Sequence, residues 1–201
     1  DVATASDHSA SDALRVLAIG RLTYYKGFEY LIRAVAKIDN VDLHIVGTGD
    51  LDKALRRLAH DLNAGAKITF HGKLPDEALA IQFAACDCLC LPSIERTEAF
   101  GMVLLEAMSL GKATVVSNVP GSGMGWVVKD GITGLHVEPE SDTALAKSLH
   151  FLWENRDKLA TFGISGLHRF KSLFDIEQSA SGISELYLRL SDSNLARKQP
   201  K

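Results

Sequence analysis

Short apolar runs, several of them apolar throughout, alternate with segments of helical periodicity along most of this sequence. The run RVLAIG begins at Arg15, and Phe28, Leu31, Ile32 and Val35 then recur at helical spacing. Strands that are apolar on both faces must be covered on both faces, which is typical of a parallel sheet lying between helices. The pattern therefore predicts an α/β fold, a single Rossmann-like domain whose parallel sheet is sandwiched by helices.

The same alternation continues through the first 118 residues and predicts five strands in all. After the first strand, the others are predicted at Val41–Gly47, at Lys67–Gly72 and in the runs CLCLPS and ATVVSN. The intervening helices are predicted from the leucines of Leu51–Leu62 and from the runs ALAIQFAAC and FGMVLLEAMSLG.

The glycine-rich stretch GSGMGWVVKDGITGLHVEP breaks this pattern, and its Asp130-Gly131 pair predicts a turn. Three helices are expected after it: one around Leu145–Trp153, a shorter one near Lys158–Phe170, and a last one from about Asp175. The spacing of apolar residues along the last helix marks an amphipathic face.

The chain therefore divides into four predicted segments. A small, polar leader covers residues 1–13, the Rossmann-like domain covers 14–174, a C-terminal helix covers 175–191, and a flexible tail covers 192–201.

The charge balance excludes two classes of partner. Lys and Arg number 22 against 25 Asp and Glu, a formal net charge of −3, so the electrostatic footprint of a nucleic-acid or membrane-surface protein is missing. No apolar run approaches the length of a membrane span, and no signal peptide is recognisable. We therefore expect a cytoplasmic protein that has no nucleic-acid partner.

The three cysteines all fall in the run ACDCLCLP. Alternate spacing predicts that Cys86, Cys88 and Cys90 lie on one face of a strand, where three thiolates could bind a soft metal. Their spacing differs from that of zinc sites, and free cysteine is commonly a small buried hydrophobe. Burial is the favoured interpretation of these thiols. The sequence contains no convincing carboxylate–histidine cluster either, and we predict no metal and no cofactor.

Ligands of open parallel sheets bind at the carboxyl ends of the strands, where helix N-termini offer free N–H groups. The loop after the first strand supplies Arg21 and Lys26, and the loop after the second supplies Gly47 and Gly49. The third and fourth strands are followed by Lys73–Asp76 and Ser93–Glu98. Two cations beside a glycine-rich helix N-terminus suit a diphosphate.

The segment EAFGMVLLE places a carboxylate at each end of an apolar stretch. If a helix begins near Gly101, Glu106 lies in its second turn, and its side chain tilts back toward the N-terminus, where it could accept hydrogen bonds from a ribose diol. Glu98 lies before the helix, near any group attached to the phosphates. The amides of Phe100, Gly101, Met102 and Val103 have no partner within the helix. Ordinary alternatives are a helix N-terminal charge for Glu98 and a surface residue for Glu106.

Together these segments resemble the carboxyl-terminal half of retaining glycosyltransferases with the GT-B fold, specifically glycosyltransferase family 4. The resemblance extends over roughly Leu14–Leu190. It rests on AIGRLTYYKG, HIVGTGD, ITFHGKL, LCLPS, the Glu-x7-Glu motif EAFGMVLLE followed by AMSLGKATVVS, and DGITGLHVEP.

The resemblance implies a role for each matching residue. Arg21 and Lys26 would bind the diphosphate of a nucleotide-sugar donor, Glu98 would contact hydroxyls of the donor sugar, and Glu106 would bind the ribose. The amides of Phe100–Val103 would hold phosphate and sugar. The base edge would meet residues near Leu74 and Asp76, while Gly47 and Gly49 complete the substrate-binding set.

Enzymes of this fold have two Rossmann-like domains, so the resemblance implies that the acceptor domain lies outside this sequence. We expect the isolated chain to bind a donor without transferring the sugar. The parent enzyme is expected to build a polysaccharide or glycolipid in the cytoplasm or at the cytoplasmic face of the membrane, with any membrane association made by the absent domain. The last helix is implied to cross back onto that domain. Tyr25 stands where many relatives carry a cation.

Three rival functions remain open at the level of sequence. Gly47-Thr48-Gly49 begins like a dinucleotide-binding fingerprint, but the third glycine is absent and acidic residues follow. A GT-B epimerase or phosphorylase would share the fold. A non-catalytic nucleotide-binding module would not require Arg21, Lys26, Glu98 and Glu106 to be retained.

Overall fold

The computed structural model describes residues 13–196 and contains one wholly parallel, six-stranded sheet with the strand order β3-β2-β1-β4-β5-β6. Helices cover both faces of the sheet, which confirms the predicted fold class. The direction of winding reverses between β1 and β4, and this reversal creates a crevice at the carboxyl ends of the strands. The strands are β1 (Leu14–Ile19), β2 (Val41–Val46), β3 (Ile68–Gly72), β4 (Cys88–Leu91), β5 (Ala113–Ser117) and β6 (Gly134–Val137).

Two layers of helices enclose separate cores on the two faces of the sheet. On one face α1, α2 and α6 pack over the larger core, and on the other α3, α4 and α5 pack over the smaller one. The helices are α1 (Phe28–Ala36), α2 (Asp52–Asp61), α3 (Asp76–Ala85), α4 (Met102–Ser109), α5 (Met124–Val127), α6 (Asp142–Glu154), α7 (Arg156–Leu173) and α8 (Ile176–Ala196). The predicted spacing in α1 is confirmed, since Phe28, Leu31, Ile32 and Val35 are all buried.

The sixth strand was not predicted from the sequence. Strand β6 has only four residues, lies at an edge of the sheet and falls within the glycine-rich stretch that indicates turns. Its first residue must nevertheless be small, because a Cβ atom on Gly134 would lie 2.1 Å from the carbonyl oxygen of Thr114 in β5. The same glycine that suggested a loop therefore allows this strand to pair closely with β5.

Helix α7 is longer than predicted. It has 18 residues, whereas α6 has 13. Gly163 and Gly166 lie inside α7 and weaken its local helical preference, which explains the short prediction. Both glycines are buried where α7 packs against α4 and β5.

The chain ends limit what can be compared with the predicted segments. The predicted leader lies outside the described residues except for Ala13, and so does the tail from residue 197 onward. Helix α8 runs to Ala196, past the predicted boundary at 191, and makes few contacts with α7. Exposed apolar side chains on α8 include Ile176, Ile183, Leu186, Tyr187 and Leu188. None of the helices described is long and apolar enough to cross a membrane.

The cysteines are buried, but they do not share one face of a strand. Cys88 and Cys90 lie in β4 and pack into the larger core, whereas Cys86 follows α3 and packs into the smaller core. The prediction of a common face is therefore wrong for Cys86, because the strand begins only at Cys88. Burial raises the pKa of the Cys86 thiol to about 11. Burial also raises the pKa values of Cys88 and Cys90, so all three favour the protonated thiol.

A chain of hydrogen bonds links three side chains across β1, β2 and β3. Arg15 Nε donates to His44 Nε2 at 3.1 Å, and His44 Nδ1 lies 2.9 Å from His71 Nε2. Because His44 Nε2 accepts, its Nδ1 must carry the proton that is donated to His71. Burial is the main cause that lowers the pKa of both histidines, and Arg15 lowers both further.

We predict that this histidine pair makes the chain less stable in acid. A lowered folded-state pKa means that the unfolded chain takes up protons first, so the free energy of unfolding should fall as the pH drops below about 6.5. Urea unfolding between about pH 8 and about pH 5.5 measures the fall. The double variant His44→Gln/His71→Gln should lose much of this dependence, and His168→Gln, at an exposed position, should retain it. An unchanged pH dependence in the double variant would contradict the assignment.

Candidate functional site

A cleft of about 490 Å³ lies at the carboxyl ends of β1, β2 and β3. It brings together four of the residues predicted from the sequence, Arg21, Gly47, Gly49 and Leu74. Asp76 is not among the residues that line the cleft, because it begins helix α3 behind Pro75. The exposed cation Lys73 lines the same cleft and had not been assigned a role.

The wall between β1 and β2 is formed by two loops in direct backbone contact. Gly20 N donates to the carbonyl oxygen of Val46 at 3.0 Å, and Leu22 N donates to that of Thr48 at 2.9 Å. A Cβ atom on Gly47 would lie 1.9 Å from the carbonyl oxygen of Gly20. Gly47 therefore allows the loops after β1 and β2 to pack closely against each other. This close packing explains the glycine without any bound dinucleotide.

Lys26 and Glu98 form an ion pair between the loops that follow β1 and β4. Their side chains are only 13% and 12% exposed, so the pair is largely shielded from water. Two further contacts fasten the same loops: Ile94 N donates to the carbonyl oxygen of Tyr25 at 2.8 Å, and the Tyr24 hydroxyl donates to Glu95 Oε2 at 3.0 Å. The structure thus joins Lys26 to Glu98, whereas the sequence suggests that Lys26 acts together with Arg21.

Two serines that sequence reasoning missed hold Glu98 in place. Ser93 is fully buried, and its hydroxyl donates to Glu98 Oε2 at 3.2 Å. The Ser122 hydroxyl donates to the backbone carbonyl of Glu98 and accepts a hydrogen bond from Met124 N at 3.2 Å. Ser93 lies in the loop Ser93–Glu98 after the fourth strand, and the signal that the sequence offers is a small polar residue at the end of the apolar run CLCLPS.

Helix α4 begins as the sequence predicts. Gly101 adopts the left-handed conformation (φ 75°) immediately before the helix, and Glu106 lies in its second turn. Much of the surface of Glu106 is exposed to solvent. Its carboxyl group is nevertheless partly buried, and this burial raises the pKa of Glu106. Met102 is also exposed and Val103 is half-buried.

Phe100 belongs to an aromatic cluster beside the start of α4. Its ring centroid lies 6.2 Å from that of Trp126 and 6.1 Å from that of Phe174. The Arg169 guanidinium lies over the rings of Trp126 and Phe174 and donates to the carbonyl oxygens of Trp126 and Val127. The Phe100 side chain is therefore occupied in packing, and its backbone amide is the group that remains for a ligand.

The arrangement suits an elongated anion that carries a neutral polar group at each end. Arg21 and Lys73 provide positive charge in the cleft, and the first amides of α4 provide N–H donors at the neighbouring strand exit. In the sequence, Glu98 precedes those amides and Glu106 follows them in the second turn of α4. Among the described residues, no group of three His, Cys, Asp or Glu side chains is arranged to hold a metal ion.

Comparison with known proteins identifies the family. The family model of glycosyl transferases group 1 matches residues 4–169. The chain belongs to this family.

Relatives of this group 1 chain agree with the assignment. O-antigen chain mannosyltransferase C of Escherichia coli is 30% identical over 177 residues, which are 88% of this chain and 47% of that protein. Sucrose-phosphate synthase of Thermosynechococcus elongatus is a solved structure that is 31% identical, with a TM-score of 0.79, and the match covers 92% of this chain and 47% of that one.

HepE of Anabaena has been solved in complex with UDP and in complex with UDP-glucose. Both structures are 26% identical to this group 1 chain, with TM-scores of 0.81 and 0.79, and each match covers 90% of this chain and 50% of that one. The chain thus spans about half the length of the relatives it matches. Its sheet and helices match the C-terminal Rossmann-like half of the GT-B fold, as the sequence predicts.

We predict that the Lys26–Glu98 pair contributes more to stability than a surface ion pair. The substitution Lys26→Ala leaves the Glu98 carboxylate largely buried with only Ser93 as a side-chain donor, and should lower the free energy of unfolding by about 2 kcal/mol. Lys37→Ala is the control, because Lys37 and Asp142 form a pair that is 48% and 26% exposed and should be worth less than about 1 kcal/mol. Urea unfolding compares the two, and equal losses would show that Lys26 and Glu98 behave as a surface pair.

Proposed function

We propose that this chain is the donor-binding half of a retaining glycosyltransferase of family 4 and that it holds a nucleotide sugar across the carboxyl ends of its strands. The observation that carries the proposal is the location of Arg21, Lys26, Glu98 and the start of α4 around the reversal point between β1 and β4. The names of the relatives support it, since one is a mannosyltransferase and another was crystallised with UDP-glucose.

Each part of the donor has chemically suitable groups in this arrangement. The base and its ribose fit the cleft between Gly47 and Leu74, with Glu106 accepting hydrogen bonds from the ribose diol. The diphosphate lies toward Arg21, Lys26 and the amides at the start of α4. The sugar then lies against Glu98.

The proposed reaction transfers the sugar from a nucleoside diphosphate to an acceptor. The bond between the sugar and the terminal phosphate oxygen breaks, so negative charge develops on that oxygen of the leaving diphosphate. Cations and fixed amide dipoles directed at that oxygen stabilise the charge in the transition state without reorganising water. Arg21, Lys26 and the α4 amides supply these groups, and Glu98 orients the sugar.

We further propose that the parent protein supplies the acceptor domain and makes a polysaccharide or glycolipid. The chain spans about half the length of its relatives, and α8 carries exposed apolar side chains suited to contact with another domain. Three cysteines remain as free thiols, which supports a reducing, cytoplasmic location for the enzyme, or one at the cytoplasmic face of the membrane.

Isothermal titration of the chain tests the proposal. UDP, UDP-glucose, GDP and GDP-mannose are the probes, and we expect one nucleoside diphosphate and its sugar derivative to bind while the matching nucleoside binds weakly. Arg21→Ala should weaken binding of the diphosphate about tenfold, since a charge-assisted contact is lost, and should leave nucleoside binding unchanged. Arg57→Ala removes an exposed arginine of α2 and serves as the control.

Failure of all four probes to bind would overturn the proposal. Efficient sugar transfer by this chain alone would contradict the assignment of the acceptor site to another domain. Release of free sugar without an acceptor, or epimerisation of the nucleotide sugar, by the longer parent protein would favour the phosphorylase or epimerase alternatives.

We predict different effects for the two glutamates of EAFGMVLLE. Glu106→Gln should weaken the nucleoside diphosphate and the nucleotide sugar alike, by about fivefold or more, because both keep the ribose. Glu98→Gln should weaken only the nucleotide sugar. Because Glu98 neutralises Lys26 in this structure, loss of its charge should leave binding of the sugarless diphosphate equal or tighter. Titration of both ligands measures the difference, and a loss of diphosphate affinity in Glu98→Gln that matches the loss in Glu106→Gln would refute the division of roles.

A further inference from the structure

We propose that Ser93 is a positioning residue that fixes the orientation of the Glu98 carboxylate, so that one of its oxygens is presented to a hydroxyl group of a hexose donor. The inference rests on the proposed function, which places Glu98 beside the donor sugar. It adds the residue that orients Glu98 and the oxygen that is available to the sugar.

The two oxygens of Glu98 have different surroundings. Oε2 accepts from the Lys26 ammonium and from the Ser93 hydroxyl, the latter at 3.2 Å. Oε1 receives no hydrogen bond from any residue in the described part of the chain. A carboxylate has about four lone-pair directions, so two donors on one oxygen leave the other free to accept from a ligand.

The Lys26 ammonium alone does not fix this orientation. An ammonium group is a compact charge with rotatable donors on a flexible stem, and it attracts either oxygen of a carboxylate. Ser93 is fully buried and is separated from the end of β4 only by Pro92. It therefore adds a directional contact that distinguishes Oε2 from Oε1.

The main chain of Glu98 is held separately. Ser122 donates to the carbonyl oxygen of Glu98, and Gly123 N donates to that of Ala99 at 2.7 Å. With the backbone fixed by these contacts, the freedom that remains is rotation of the Glu98 side chain, and this is the rotation that Ser93 restricts.

The test compares donor and nucleotide binding in Ser93 variants of the full chain. We expect Ser93→Ala to weaken UDP-glucose or GDP-mannose about fivefold, the effect of one lost hydrogen bond, and to leave UDP or GDP within about twofold. Ser93→Thr keeps the hydroxyl and should restore the affinity. Thr114→Val removes a buried hydroxyl that donates to the backbone of Thr133, and it should leave both ligands unchanged.

Two further measurements separate positioning from a general loss of structure. In a Glu98→Gln background, Ser93→Ala should cause a smaller loss of nucleotide-sugar affinity than it does alone, because the two residues act through one contact. In a crystal structure of Ser93→Ala without added nucleotide, the Glu98 carboxylate should be rotated from its present position.

Each outcome decides the inference. Equal weakening of nucleotide and nucleotide sugar, full additivity with Glu98→Gln, or an unmoved carboxylate in the Ser93→Ala crystal would overturn it. If the unmodified chain binds none of the probes, the proposed function fails, and the crystal structure alone then decides whether Ser93 orients Glu98. If Ser93→Ala does not fold, Ser93→Cys retains the volume with a weaker donor and should show the same selective loss for the nucleotide sugar.

Discussion

The pairing of β1 with β4 is the contact on which the site depends. Val16 lies beside Cys88 and Leu17 beside Leu89, although the chain forms two further strands between them. This pairing reverses the direction of winding and brings the loops after β1 and β4 side by side. Lys26 can then reach Glu98, and Ile94 can donate to Tyr25. The pairing of these two largely apolar, mostly buried strands therefore determines where the charged groups meet.

Within the site, one cation and one carboxylate neutralise each other in an ion pair. Lys26 is already paired with Glu98, whereas Arg21 faces the cleft. Under the proposed function, an incoming diphosphate competes with a carboxylate for Lys26, so the net gain in binding free energy from that lysine is smaller than its bare charge suggests. Within the described residues Glu98 Oε1 accepts no hydrogen bond, so under the proposed function it receives a sugar hydroxyl while Lys26 turns to the diphosphate. Under the proposed function, recognition of the diphosphate and recognition of the sugar would be coupled through this one ion pair.

The sequence allowed most of the fold and part of the site to be predicted. Strands β1 to β5 each coincide with a short, largely apolar run, so they can be recognised without any tertiary information. Strand β6 and helix α7 were missed or shortened because glycines needed for close packing resemble loop residues. At the site, Arg21 and Gly47 follow strand ends and could be located by position alone. The partners of Glu98 could not, since the side-chain geometry of Ser93 and the long-range contact with Ser122 depend on how separate loops meet.

The aromatic cluster gives this chain a built-in optical probe of its site. The sequence contains two tryptophans, Trp126 and Trp153. Trp126 is 51% exposed and neighbours Phe100, whose backbone leads into α4, while Trp153 stacks on His150 at the far end of α6 with its indole nitrogen buried. Intrinsic fluorescence therefore has two separable sources, an exposed indole beside the start of α4 and a half-buried indole in α6. A quencher in solution reaches the first far more readily, so changes in quenching report on the loop that begins α4.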